Sequence, residues 1–170
     1  MLPMNFKHLT GTADYVTTGT WTKKALNEGS KIMNINNIYS SEDDNFTYAP
    51  DLEKLSYSKN ASYVHYCPNE TIQGNAIHKI PKIDKPLIAD MSSVILSAPF
   101  DVSNFALIYA GAQKNIGPAG LTIVIIDKDF MKNGNPNLPN LLRYSEHSKS
   151  DSMLNTPPTF SWYVAGKVFK

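Results

Sequence analysis

The apolar positions of this chain fall in short runs separated by polar or turn-forming stretches. Thr12–Val16, Lys31–Ile35, Tyr63–Tyr66, Leu87–Asp90, Phe105–Ala110 and Leu121–Ile126 are rich in β-branched and aromatic residues and are predicted as strands. Leu121–Ile126 is apolar almost throughout, the pattern of a strand covered on both faces. Helical patterns lie between the strands. Thr20–Glu28 opens on a capping-type residue and stops at Gly29, a second helix is expected to start near Pro50, and Ser161–Lys170 reads as helical. This alternation predicts an α/β fold, with a mostly parallel central sheet and flanking helices. Lys128–Asn155, centred on Asn133-Gly-Asn-Pro-Asn-Leu-Pro-Asn140, is rich in Asn, Pro and Ser and reads as a long surface loop.

At 170 residues the chain can bury one real core but not two large ones. A formal net charge of +1, with no dense Lys/Arg run, offers no stripe for nucleic acid. No apolar run reaches membrane-spanning length and the N-terminus lacks a signal-peptide layout, so no membrane partner is expected. The single cysteine, Cys67, excludes an internal disulfide and fits a reducing cytoplasm. Arg143 is the only arginine. A complete enzyme for a doubly anionic substrate would be expected to own several, because the guanidinium fork grips both oxygens of a carboxylate or phosphate. Met1-Leu-Pro-Met-Asn-Phe has no cap and the Ser161–Lys170 pattern stops without one, so the chain is expected to be an excerpt of a longer protein.

Two positions carry candidate chemistry. Asp90 follows three apolar residues at a strand end, where open α/β sheets bind ligands; taken alone it reads first as a turn or N-cap carboxylate, and second as an acid aimed at a cationic ligand. Lys114 follows a strand in Tyr109-Ala-Gly-Ala-Gln-Lys-Asn-Ile-Gly-Pro-Ala-Gly120, among small residues that let a bulky ligand approach. A partly desolvated lysine there would lose its proton readily, whereas a solvated loop lysine would only mark a turn. The segment is neither a Walker A loop nor a GxGxxG fingerprint. His65 and Cys67 have no metal-ligand spacing with other residues.

Wording over longer stretches goes further. Tyr109 to Val124, His65-Tyr-Cys-Pro-Asn-Glu-Thr-Ile-Gln-Gly74, Ala89-Asp-Met-Ser-Ser93 and Met153-Leu-Asn-Thr-Pro-Pro-Thr-Phe-Ser-Trp-Tyr163 resemble, in order, motifs of the phosphoserine aminotransferase family. This is a class V branch of the fold-type I pyridoxal-phosphate (PLP) enzymes. The resemblance covers nearly the whole chain, with Ile35–Leu55 and Lys128–Ser152 matched loosely.

The resemblance implies a PLP-transferase-like large domain. Lys114 would be the Schiff-base lysine and proton shuttle, and Asp90 the partner of the pyridine nitrogen. Trp21 would stack on the ring, where a core tryptophan is the plain alternative. Thr71 would contact the phenolic oxygen and Gln113 the phosphate. Asn155 and Thr156 would reach the neighbouring subunit's cofactor in a homodimer. The implied reaction moves an amino group between glutamate and 3-phosphohydroxypyruvate, serving serine and also pyridoxine biosynthesis. The alternatives are another class V activity or an inactive fragment. Against the family pattern, a glycine-rich phosphate segment is expected before Met1 and a substrate-binding small domain after Lys170. Arg143 matches none of the family's substrate arginines. The chain alone would therefore expose apolar surface, bind PLP weakly and lack activity.

Overall fold

The computed structural model describes all residues from Met1 to Lys170. The α/β architecture is as predicted: six strands form one sheet in the order β2-β1-β3-β4-β5-β6. The strands are β1 (Thr12–Thr17), β2 (Asn34–Ser40), β3 (Val64–Tyr66), β4 (Leu87–Asp90), β5 (Leu107–Gly111) and β6 (Thr122–Ile126). The first five are mutually parallel and β6 runs antiparallel to β5. Parallel strands need crossovers, so residues far apart in sequence end at the same sheet edge.

Alternation along the pleat divides the core. Val64 and Tyr66 of β3, Leu87 and Ala89 of β4, and Ile108 of β5 pack on one face. Ala13 and Tyr15 of β1, Ile88 of β4 and Leu107 of β5 pack on the other, with Phe6 from α1 (Leu2–Thr10) and Phe130 from α3 (Lys128–Lys132). Phe6 is fully buried and stacks on Phe130 with ring centroids 4.2 Å apart.

Several expectations need correction. Leu121–Ile126 is not a doubly covered strand: β6 closes one edge of the sheet, and Val124 and Ile125 are more than a third exposed. An apolar run cannot by itself distinguish a central strand from an edge. The second strand starts at Asn34 rather than Lys31, because residues 31–33 are consumed in the turn that follows the helix. No helix starts at Pro50. Only one 3₁₀ turn, Leu52–Lys54, forms there, and the chain then runs extended, anchored where Ser58 N–H donates to Asp14 Oδ2 at 2.7 Å.

Lys128–Asn155 is not one loop. It holds α3 and α4 (Tyr144–Lys149) and is stapled to α1, where Asn5 Nδ2 donates to the Leu142 carbonyl and Asn135 N–H to the Asn5 carbonyl, each at 2.8 Å. That N-terminal helix escaped the sequence pattern, while the C-terminal one forms as expected, as α5 (Thr159–Val168). Helix α2 (Thr20–Ser30) runs past Gly29. The glycine is there for close packing: a Cβ would meet Tyr15 Oη at 3.2 Å and Ile35 Cδ1 at 3.3 Å. No helix is long and apolar enough to cross a membrane.

Beneath the strand ends an aromatic row supports the sheet. Tyr15 and His65 stack at 4.5 Å, and His65 Nε2 lies 2.9 Å from the Tyr109 hydroxyl. Burial pushes the His65 imidazole down to about 4, against an opposing pull from the Asp90 charge. A histidine lowered in the fold stays neutral there while the unfolded chain takes up a proton, so stability is full above about pH 6.5 and falls toward pH 4. Between pH 7 and pH 5 this group removes about 2 kcal/mol of unfolding free energy. Urea titrations at both pH values check this, and His65→Gln is expected to flatten that part of the pH slope.

Candidate active site

The carboxyl ends of β1, β3, β4 and β5 deliver the candidate residues to one edge of the sheet. Chain order reverses between β1 and β3, and such a switch point is the usual ligand position in an open α/β sheet. Trp21 enters from the turn after β1, Thr71 from the loop after β3, Asp90 ends β4, and Gln113 and Lys114 follow β5.

Lys114 Nζ donates to Thr71 Oγ1 at 2.5 Å, which joins two loops 43 residues apart in sequence. The loop that carries Lys114 is held at both ends: Ala112 N–H donates to the Leu121 carbonyl, and Asn115 Nδ2 donates to the Ile95 carbonyl, both at 2.9 Å. The Lys114 side chain itself is exposed, contrary to the expectation of a partly desolvated amine. The small residues around it leave space, and no element of this chain stands over that space.

Asp90 is half-buried rather than buried. Its Oδ1 accepts from Ser92 N–H at 3.0 Å and Ser92 Oγ at 2.6 Å, and the Tyr109 hydroxyl lies near enough for the same carboxylate to act on it. Ser92 Oγ also accepts from Gly111 N–H at 2.9 Å, so the carboxylate is fixed to the start of the lysine loop. The negative charge of Asp90 adds to burial in raising the Tyr109 hydroxyl and the Cys67 thiol well above their ordinary ranges. Cys67 is thus a buried, protonated thiol, inert as a nucleophile at neutral pH. The Lys114 charge works on Cys67 in the opposite sense, so the thiol lies within electrostatic reach of both side chains.

Trp21 is not a core tryptophan. Its indole is 40% exposed in the first turn of α2, with Lys24 Nζ 4.9 Å from the ring centroid. Gln113 folds back over its own strand end, where a Cβ on Gly111 would strike Gln113 Oε1 at 2.5 Å. Asn155 and Thr156 are not brought to this cluster. They lie exposed in the turn before α5, with Asn155 Nδ2 donating to the Thr156 carbonyl at 3.4 Å.

Two residues that the sequence did not single out organise the crevice. Thr20 was expected to cap α2, yet it is the first helical residue and Gly19 occupies the cap position. The capping groups come from the loop after β3. Glu70, fully buried, accepts from the Trp21 and Thr22 amides at 3.0 and 2.8 Å, and Gln73 Oε1 accepts from the Thr20 amide at 3.0 Å. Thr22 closes the turn, its Oγ1 accepting from the amides of Thr18 and Gly19. Local capping patterns cannot reveal partners about 50 positions away.

An amine, a hydroxyl, a partly exposed indole and a carboxylate therefore share one sheet edge. Residues 12–170 match the family Aminotransferase class-V. A phosphoserine aminotransferase of Hahella chejuensis is 51% identical over 170 residues, covering 99% of this chain and 47% of that protein. One from Bacillus cereus is 48% identical over 171 residues, covering the whole chain and 48% of that protein. Among solved structures, a phosphoserine aminotransferase from Bacillus circulans subsp. alkalophilus superposes with a TM-score of 0.93 at 45% identity, over 98% of this chain and 46% of that one. The PLP-bound phosphoserine aminotransferase from Trichomonas vaginalis gives a TM-score of 0.89 at 38% identity, over 99% of this chain and 48% of that one. The chain spans about half the length of the curated relatives it matches. With the family pattern matched from Thr12 to Lys170, the chain belongs to the class-V aminotransferases.

Proposed function

We propose that this chain forms the cofactor-holding part of a PLP-dependent phosphoserine aminotransferase, and that the enzyme moves an amino group between glutamate and 3-phosphohydroxypyruvate. The observation that carries the proposal is the Lys114–Thr71 pair at 2.5 Å, at the same sheet edge as the Asp90 carboxylate braced by Ser92. The donor set fits the cofactor atom by atom: an amine for the aldehyde carbon, a hydroxyl for the phenolic oxygen, a carboxylate for the ring nitrogen and an indole for the ring face. When bound, PLP supplies a carbonyl that captures amines and a protonated ring that withdraws electrons from the adjacent carbon.

Each side chain then has a defined task. Thr71 Oγ1 steers the Lys114 amine, and once free that amine moves the proton at the substrate carbon. Asp90, braced by Ser92, would face the ring nitrogen, since an ion pair favours the protonated nitrogen. Trp21 covers one ring face and keeps water from it. Gln113 supplies an amide to the phosphate, and Asn155 and Thr156 reach the site of a second subunit in a homodimer. Their exposure in this chain, and the exposed apolar side chains of α5 beside them, support that reading. A serine-biosynthetic role, with a further part in pyridoxine biosynthesis, follows from the substrates, and the lone buried Cys67 thiol favours the cytoplasm.

With one arginine, the chain offers few forks for the carboxylate and phosphate of the oxo acid. We therefore place substrate recognition in further domains and expect this 170-residue chain alone to hold PLP weakly and show no turnover. A transamination assay with size-exclusion chromatography checks this, and a soluble monomer with full activity would overturn it. Incubation with PLP, borohydride reduction and peptide mapping are expected to place the pyridoxyl label on Lys114; label on other lysines alone would rule out the assignment. Asp90→Asn is expected to keep that label but to lower turnover of the full-length enzyme by about 100-fold or more, measured as kcat.

A further inference from the structure

Glu70 is the most unusual charged residue of the chain. Its side chain is fully buried, no lysine or arginine pairs with it, and a carboxylate so placed needs strong compensation. Compensation comes from the amino end of α2, where unpaired N–H groups and the helix dipole favour negative charge. The two oxygens divide the work. Oε2 accepts from the Trp21 amide at 3.0 Å, and Oε1 accepts from the Thr22 amide at 2.8 Å and the Thr22 hydroxyl at 2.7 Å. The approach is tight, for a Cβ on Gly19 would lie 2.5 Å from Glu70 Cδ. Gln73 adds a second clasp, donating through Nε2 to Thr20 Oγ1 at 2.8 Å while accepting from the Thr20 amide. The loop closes on itself where the Gly74 amide donates to the Glu70 carbonyl at 2.8 Å.

Thr71, the partner of Lys114, is the next residue along this clamped segment. We propose that Glu70 is a positioning residue: by holding the first turn of α2 on the loop after β3, it sets the Trp21 indole and the Thr71 hydroxyl in one fixed geometry about the Lys114 amine. The role rests on the functional reading above for its meaning, but the geometry it fixes is measurable without turnover. Glu70 touches neither the amine nor the crevice; it acts through the backbone of its two neighbours. Without it, α2 would begin with unsatisfied amides, and the indole would swing with the fraying turn.

The test uses the Trp162→Phe chain, in which Trp21 is the sole tryptophan. Glu70→Ala and Glu70→Gln are made in that background and followed by amide hydrogen exchange and Trp21 emission. In Glu70→Ala the Trp21 and Thr22 amides are expected to exchange about 10- to 100-fold faster, the gain that follows from losing a bond to a charged acceptor. Emission from Trp21 should move to the red. Glutamine keeps the volume but only one acceptor oxygen, so one of the two amides should speed up and the other stay protected. After borohydride reduction with PLP, label should still map to Lys114 in both variants, while quenching of Trp21 by the pyridoxyl group should be lost in the alanine variant. Unchanged exchange and emission in both variants would overturn the proposal. Equal opening of the sheet amides of Tyr15, Val64 and Ile108 would overturn it too, by reducing Glu70 to a general stabiliser. Failure of the parent to take label at Lys114 would instead defeat the functional reading and leave the clamp standing.

Discussion

The geometry of the crevice depends on parallel strand pairing across β1, β3, β4 and β5. Parallel strands share a carboxyl edge, and each supplies one candidate group there: an indole, a hydroxyl, a carboxylate and an amine in spatial succession. An antiparallel arrangement of the same segments would send alternate groups to opposite edges. The right order of side chains in sequence would then achieve nothing. The reversal of chain order between β1 and β3 makes their carboxyl ends the switch point at which open α/β sheets take their ligands.

Below that edge the sheet is unusually polar for a core. Tyr15, His65 and Tyr109 form a row in which the rings stack and the Tyr109 hydroxyl meets the His65 ring nitrogen, and burial favours their neutral forms. Asp90 thus ends its strand at the top of an aromatic floor whose own groups are held neutral. Ser92 ties it to the Gly111 amide, so carboxylate and lysine loop move together. This coupling through the serine hydroxyl makes the Asp-Met-Ser sequence a structural unit rather than a pair of adjacent polar residues.

Much of the fold was legible because strand period and strand end are local properties. Leu87–Asp90 was read with its observed limits, and the neighbours of Asp90 and Lys114 marked them as strand-end residues. Where interactions are long-range, the sequence was silent or misleading. β6 is apolar yet lies at an edge of the sheet, because position in a sheet is set by pairing and not by a strand's own residues. Gly29 resembled a helix stop but marks a contact with Tyr15 and Ile35. Exposure of Lys114 and Trp21 followed from the lack of any covering element, which strand patterns do not report. Glu70 lies inside the His65–Gly74 segment, and a glutamate in a loop is ordinary until the helix it caps comes into view.

The one antiparallel pairing has a consequence for how the molecule is assembled. β5 and β6 are joined by the ten residues 112–121, so their pairing closes a short loop around Lys114. β1 and β3, which flank the crevice on its other side, must instead bring together segments separated by α2, β2 and a long connection. Short closures forfeit less chain entropy and form sooner. The lysine hairpin can thus be set early in folding, as a local nucleus, while the indole wall arrives only when the distant half of the sheet docks.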